Sequence, residues 1–241
     1  PGFPLSLSCA GSEGYKRQTL NLQHALLRYI QETRGAGHDG AGWSDWLPGI
    51  GCPVESNNES AVEIEVFPDR PYLLSHETMA RAALSFLGSV VEDPSMEVSD
   101  SRIEMTVDAS LAEGRPVILA AVVRGVNTGE TSAEKGEFIQ SLMDHQEKLH
   151  LTLGRKRKFS SIGVHDLSTL VAPFRVVTVP SSHSFVPLAM TEELSIEQIL
   201  GEHPKGMEYA HLMEELDSFP VILDCNDDII TLPPIINGDH T

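Results

Sequence analysis

The sequence is poor in cysteine, in basic residues and in long apolar segments. Its 241 residues include three scattered cysteines, Cys9, Cys52 and Cys225, which predict neither a disulfide framework nor a C-x-x-C metal site. Such cysteine usage favours a reducing, cytoplasmic setting. No apolar run approaches the roughly 20 residues that cross a bilayer, so we expect no membrane association. The chain opens on proline, and its first residues lack the basic leader of a secretory signal.

Basic residues are outnumbered by acidic ones, 17 to 35, and the formal net charge is −18. An acidic surface repels nucleic acids at long range, so any contact with RNA must be local. The one dense basic segment is Arg155 to Lys158, which directly follows a predicted helix. Its cations could complement the dipole at the helix C-terminus, or they could contact phosphate groups. The sequence leaves both interpretations open.

The motifs of nucleotide-binding and common hydrolytic enzymes are also missing. There is no Gly-rich phosphate loop, no G-x-G-x-x-G after a strand, no G-x-S-x-G and no H-E-x-x-H. His165 and Asp166 could form an imidazole–carboxylate pair, but a helix cap is the preferred role for Asp166. The segment Glu202 to Gly206 places an acid, an imidazole and a cation around a proline, and an ordinary turn between helices explains it equally well.

Hydrophobic patterns predict strands interleaved with single helices, which indicates an α+β fold with mixed sheets and flanking helices. A helical period extends over 18–34, and the glycines of 35–42 predict a flexible linker after it. Alternation over 62–67 predicts a half-buried strand, and the nearly continuous apolar run 117–126 predicts a central strand covered on both faces. Further helices are predicted over 76–87, 135–153 and 195–201.

The C-terminal stretch, residues 219–241, predicts a β-hairpin with an unusual exit. Two β-branched apolar runs flank a polar turn at 225–228. Pro233 and Pro234 then end the second strand, because proline cannot donate to a β-ladder. Asn237 and the three polar or glycine residues that follow it suit either an ordinary turn or a polar pocket, and both interpretations stay open.

Several of these stretches together resemble one family, the β subunit of phenylalanine–tRNA ligase of the archaeal and eukaryotic cytosolic type. The resemblance runs in order from about Leu47 to the end of the chain. Asp69 and Tyr72 depart from the family pattern, which has Asn and Asp there, and residues 1–45 do not resemble the family's N-terminus. The matching segments are 66–75, 120–125, 146–150, 155–157, 162–167, 185–188, 202–206 and 220–239.

The resemblance implies two domains within an incomplete subunit. Residues 1–45 would be a divergent helix and Gly-rich linker, 46–94 a small N-terminal domain, and 95–241 a tRNA-editing domain, incomplete at its C-terminus. The whole enzyme would be an α2β2 heterotetramer that joins phenylalanine to its tRNA with ATP and Mg²⁺, and its synthetic site would lie on the α subunit. This chain would bind neither cofactor and would carry at most the hydrolysis of mischarged tyrosyl-tRNA.

The resemblance locates an editing region but assigns no role to any residue. The residue roles given in this paragraph are our hypotheses. We expect no metal site. A non-catalytic structural or tRNA-binding arm of the synthetase is the alternative, and the acidic composition argues against a free-standing RNA-binding module. The residues expected to act in catalysis are Asp224, Asn226 and His203; in substrate binding, Leu188, Lys205, Pro233 and Asn237; and on tRNA phosphates, Arg155, Lys156 and Arg157.

Overall fold

A computed structural model of the chain describes residues 17–88, 97–112 and 117–241, and these fall into two compact units. The first unit contains residues 17–88 and 127–160, and the second contains 97–112, 117–126 and 161–241. Each unit combines helices with its own sheet, which confirms the predicted α+β class.

In its described residues, the first unit has an antiparallel sheet in the order β1-β3-β2 with helices beside it. The alternating burial of β3 confirms the strand predicted from its alternating sequence. Its inward side chains join an apolar core with α1 and α3. The elements are β1 Gln18–Gln23, α1 His24–Glu32, α2 Trp43–Trp46, β2 Val54–Asn57, β3 Ala61–Val66, α3 His76–Phe86 and α4 Ser132–Leu151.

The helix predicted over 18–34 is wrong in its first part, which forms β1. Leu20 and Leu22 alternate with exposed residues and pair with β3, so a period of two applies there. The helical period begins only at His24. The glycine-containing segment 35–42, predicted as a linker, carries His38, whose ring bonds to two side chains of α1.

The described residues before and after the boundary expected near residue 45 belong to the same first unit. The boundary expected at 94/95 lies outside the described residues. Helix α4 also groups with the first unit, whereas the sequence placed it in the segment 95–241. Packing between segments that are distant in the sequence defines these units, and the domain boundaries drawn along the chain stay predictions.

The second unit has a mixed five-stranded sheet in the order β10-β9-β8-β5-β4 and a separate β6–β7 pair. Strand β4 is parallel to β5, and the other pairs are antiparallel. Helix α5 packs on the apolar core of this sheet. The elements are β4 Met105–Val107, β5 Phe174–Val179, β6 Ser184–Phe185, β7 Leu194–Ser195, α5 Ile196–Glu202, α6 Pro204–Tyr209, β8 Phe219–Leu223, β9 Ile229–Leu232 and β10 Ile236–Asn237.

The central strand predicted over 117–126 is wrong, since these residues form no strand. Their apolar side chains are largely exposed, with Leu119 at 92%. A strand needs a partner for its backbone groups, and this segment joins no β-ladder among the described residues. Hydrophobicity alone cannot supply that partner.

The predicted hairpin and helix caps are confirmed. Strands β8 and β9 flank the polar turn. Ser75 caps α3 by accepting from Thr78 N, and Ser195 forms a capping box with Gln198 at α5. No helix in the described ranges has the length and hydrophobicity needed to cross a bilayer.

Candidate functional site

The turn between β8 and β9 is organised by one buried carboxylate. Asp224 is 2% exposed, and its Oδ1 accepts hydrogen bonds from the backbone N–H of Asn226 (2.7 Å) and of Asp228 (3.1 Å). Its Oδ2 accepts from Asn226 Nδ2 at 3.2 Å. Local side-chain-to-backbone bonds of this kind close Asx turns. Asp224 therefore holds the turn, and Asn226 is presented on the exposed surface beside it.

The segment after the two prolines folds back along β9. Asn237 lies opposite Thr231, and the Gly238 N–H donates to the carbonyl of Ile230 at 2.8 Å. The chain therefore returns towards the turn end of the hairpin, while Pro233 lies at the far end of β9. A Cβ on Gly238 would lie 2.4 Å from the carbonyl oxygen of Ile229, so only glycine permits this approach.

The loop after β6 pairs with this returning segment. Leu188 N–H donates to the carbonyl of Asn237 at 2.9 Å, and Asp239 N–H donates to the carbonyl of Val186 at 2.9 Å. The carboxylate of Asp239 in turn accepts from Ala189 N–H at 3.1 Å. Two predicted substrate-binding residues, Leu188 and Asn237, are thus adjacent, and Leu188 is 45% exposed.

An imidazole that the predicted site omitted belongs to the same unit. The Nδ1 atom of His165 is buried and has no hydrogen-bond partner among the described residues. Burial lowers the pKa of this imidazole below its ordinary value, and the charge of His240 lowers it further. A Cβ on Gly163 would lie 2.8 Å from His165 Nε2, so the ring packs closely over that glycine.

A neutral imidazole with an unbonded nitrogen can accept a proton. A buried polar atom without a hydrogen-bond partner also needs a structural or functional explanation. Asp166, the next residue, does not serve it. Instead, Asp166 caps a short 3₁₀ turn at Leu167–Thr169 by accepting from Ser168 N–H, as preferred from the sequence. The segment 162–167 was the sequence signal for this position.

Two further predicted residues, His203 and Lys205, are engaged within the α5–α6 turn. His203 Nδ1 accepts from the backbone N–H of Lys205 at 3.2 Å and caps α6. Lys205 Nζ pairs with Glu208 at 3.0 Å and lies over the ring of Tyr209. These contacts explain both side chains locally, so their functional roles stay predictions.

The basic segment lies in the first unit, at the end of α4. Arg155, Lys156 and Arg157 all have positive φ angles, of 49°, 55° and 63°. Arg157 is buried and bonds to Glu147 at 2.6 Å. Arg155 and Lys156 are exposed, and Arg155 lies over the ring of Phe159, which is 77% exposed. Lys158, the last residue of the segment, is exposed as well, and contact of these cations with phosphate stays a prediction.

Metal binding finds no support in the part of the chain that the structure describes. No group of three or more His, Cys, Asp or Glu side chains converges there.

No protein-family model matches the chain. The chain is 44% identical over 195 residues to the phenylalanine–tRNA ligase β subunit of Methanosarcina acetivorans, which covers 81% of this chain and 35% of that protein. Over 195 residues it is 42% identical to the β subunit of Archaeoglobus fulgidus, with the same coverage of 81% and 35%. The chain thus spans about a third of the length of these relatives.

Solved structures with a similar fold include a fragment of a synthetase subunit. It is an N-terminal fragment of the phenylalanyl-tRNA synthetase β subunit from Pyrococcus horikoshii, with a TM-score of 0.79 and 28% sequence identity. The alignment covers 92% of this chain and 63% of that fragment, so it includes both compact units in large part.

Proposed function

Because the chain belongs to the family of phenylalanine–tRNA ligase β subunits, we propose that it forms the N-terminal part of such a subunit. In this proposal the subunit works in the cytoplasm within an α2β2 enzyme that attaches phenylalanine to its tRNA with ATP and Mg²⁺. The described residues here do not fit either cofactor, since no acidic or imidazole cluster converges and the sequence has no phosphate loop. In this proposal the synthetic step takes place on the α subunit.

We further propose that the second unit hydrolyses tyrosine esterified to the phenylalanine tRNA. Tyrosine differs from phenylalanine by one hydroxyl, and a site built to hydrogen-bond that group can discriminate strongly against the analogue without it. The observation that carries the proposal is the imidazole of His165, whose buried Nδ1 has no partner among the described residues and whose pKa is lowered.

The proposed chemistry needs one water and no cofactor. His165 Nδ1 takes a proton from the water as its oxygen attacks the ester carbonyl carbon, and the proton then passes to the departing tRNA oxygen. The products are free tyrosine and tRNA with its terminal hydroxyl restored. The Asn237 side chain, which has no hydrogen bond among the described residues, would hold the carbonyl oxygen, and Leu188 would contact the aromatic ring.

The test is the hydrolysis of tyrosyl-tRNA by the α2β2 enzyme assembled with a full-length β subunit. We expect release of labelled tyrosine at a rate at least about tenfold above that of phenylalanine from phenylalanyl-tRNA. Equal rates, or hydrolysis no faster than without enzyme, would contradict editing while leaving family membership intact.

The same assay, applied to a variant of Asp224, distinguishes an editing domain from a non-catalytic arm. Because all the bonds of this carboxylate serve the turn, Asp224→Ala should lower the unfolding free energy by about 2 kcal/mol. Hydrolysis should then recover when the temperature is lowered enough to restore folding. If hydrolysis stays absent in a fully folded variant, Asp224 takes part in the chemistry as first hypothesised.

We propose that Arg155 and Lys156 contact tRNA phosphates. Neutralising both to Gln should reduce the magnitude of the slope of log affinity for tRNA against log salt concentration by about 1.4 to 1.8, since each phosphate contact contributes about 0.7 to 0.9. The matched control is Arg34→Gln, which removes an exposed charge elsewhere in the first unit. If the control changes the slope by the same amount per charge removed, the effect of Arg155 and Lys156 comes from net charge alone, and they make no specific phosphate contact.

A further inference from the structure

The first unit contains a pocket that the proposed function does not use. It has a volume of about 180 Å³, and its lining includes Leu87, which is 57% exposed. An engineered cavity of about 150 Å³ in another protein admits benzene, so this volume suits a molecule of about five or six heavy atoms. The pocket is lined by Gln31, Gly37, Asp39, Gly42, Trp43, Trp46 and Leu87.

A hydrogen-bonded chain of side chains behind the pocket begins at Asn57. The amide nitrogen of Asn57 donates to the carbonyl of Gly40 and to Ser44 Oγ, both at 2.8 Å. Its oxygen therefore faces His24 Nε2, at 2.9 Å, as an acceptor. His24 must donate from Nε2, and in its neutral tautomer it then accepts at Nδ1.

The same logic continues to Gln31. His38 Nε2 lies 3.1 Å from His24 Nδ1 and must donate to it, which leaves a lone pair on His38 Nδ1. The Gln31 atom 2.7 Å from it is assigned as Oε1, which would set two lone pairs face to face, so with both imidazoles neutral the network requires the NH₂ group of the amide at this position. Amide oxygen and nitrogen are assigned from such networks. The Gln31 carbonyl oxygen is then left without a partner among the described residues, on a side chain that is 1% exposed and lines the pocket.

The other groups around the pocket are also electron-rich. Asp39 is exposed and forms no ion pair among the described residues. Its carboxylate lies against Gly42, where a Cβ would come within 2.6 Å of Oδ2. Trp43 and Trp46 meet edge to face, with ring centroids 4.5 Å apart. Among the described residues that line the pocket none is basic, although Arg28 lies close enough to lower the pKa of His38.

A carboxylate, an amide oxygen and two indole rings together favour a small organic cation. The indole rings offer an apolar surface to the alkyl part of such a cation. The two oxygen acceptors require N–H donors on the ligand, which a primary ammonium group supplies. We propose that this pocket binds a small primary alkylammonium ion, with its ammonium group at Asp39 and Gln31 and its alkyl part against Trp43 and Trp46.

The chain carries its own reporter, because its two tryptophans are Trp43 and Trp46. Isobutylammonium chloride is titrated into the 241-residue chain at constant ionic strength, and tryptophan emission is recorded. We expect a saturable change. Isobutanol, which has the same shape without charge, should bind at least tenfold more weakly. No saturable change with the ammonium ion, or equal binding of isobutanol, would overturn the proposal.

Two variants and a control locate the site. Asp39→Asn should weaken isobutylammonium binding about tenfold, whereas Asp45→Asn, which removes an exposed carboxylate on α2 that does not line the pocket, should leave it unchanged. Gly37→Val should abolish binding by filling the pocket, since a Cβ at Gly37 meets no atom within 4 Å and the variant is expected to fold. Equal weakening by Asp39→Asn and Asp45→Asn, or unchanged binding in Gly37→Val, would place the ion elsewhere.

Discussion

The two compact units each contain a pair of interacting histidines, and the pairs differ in how their ring nitrogens are bonded. In the first unit, both nitrogens of His24 and both of His38 lie 2.7–3.1 Å from a partner. In the second unit, His165 interacts electrostatically with His240, yet its buried Nδ1 bonds to nothing among the described residues.

The difference separates a structural polar network from a candidate reactive group. A buried network in which every imidazole nitrogen is bonded stabilises one conformation of the loop that carries His38. A buried atom without a partner weakens folding by roughly 1–3 kcal/mol, and such atoms are often found where a ligand or water binds. Substitutions in the first pair should therefore affect stability, and substitutions in the second should affect reaction rates.

The largest expected effect is on hydrolysis. In the α2β2 enzyme, His165→Gln should lower the rate of tyrosyl-tRNA hydrolysis by about a hundredfold, because a general base commonly contributes about 10²- to 10⁴-fold. The attachment of phenylalanine should be unchanged. Both rates are measured with labelled amino acid, and thermal unfolding is followed in parallel.

His183→Gln is the matched control, since His183 is an exposed histidine of the same unit. It should leave both rates unchanged. If His165→Gln lowers the melting temperature and spares hydrolysis, the contrast between the two pairs fails, and His165 is structural as well.

The next effect is on stability in the first unit. Asn57→Ala removes two donated hydrogen bonds and the acceptor of His24, so it should lower the free energy of unfolding by about 2 kcal/mol. Urea denaturation measures this change. Ser56→Ala, on the same strand and exposed, should change it by less than about 0.5 kcal/mol. A small effect of Asn57→Ala would mean that the network does not stabilise the unit.

The sequence predicted those parts of the fold whose signals are local. The hairpin was recognisable because its two apolar runs and the polar turn are contiguous, and Ser75 and Ser195 were recognisable as caps from their immediate neighbours. The strand expected over 117–126 failed for the opposite reason. Its existence depends on a pairing partner elsewhere in the chain, about which hydrophobicity says nothing.

The site was predictable only in part for the same physical reason. Leu188 and Asn237 were both singled out, and the structure pairs their backbones. The relation of His165 to His240, and that of His24 to His38, arises from folding and leaves no local pattern. The turn bonds of Asp224 were likewise invisible, because a turn carboxylate and a catalytic one are the same residue type in a sequence.

The smallest expected effect is a loss of folding stability at low pH that comes from the His24–His38 pair. Burial, followed by the charges of His24 and Arg28, lowers the pKa of His38 from 6.5 to about 4, and Asp39 opposes this. The unfolded chain therefore takes up a proton at His38 before the folded one does. The resulting stability is fully present above about pH 6.5 and is lost as the pH falls towards about 4. Because much of the ring is near solvent, screening should hold this loss to about 1 kcal/mol.

The measurement is the difference in unfolding free energy between the chain and its His38→Gln variant at pH 7, 5.5 and 4. Titrating groups away from His38, including the buried His76, whose pKa is also lowered, affect both proteins alike and cancel in the difference, whereas the coupled His24 contributes to the measured effect. The advantage of the unmodified chain should shrink with falling pH. An advantage that stays constant with pH would show that folding does not lower the pKa of His38. The hydrogen bonds of the first pair would then not distinguish it from the second pair.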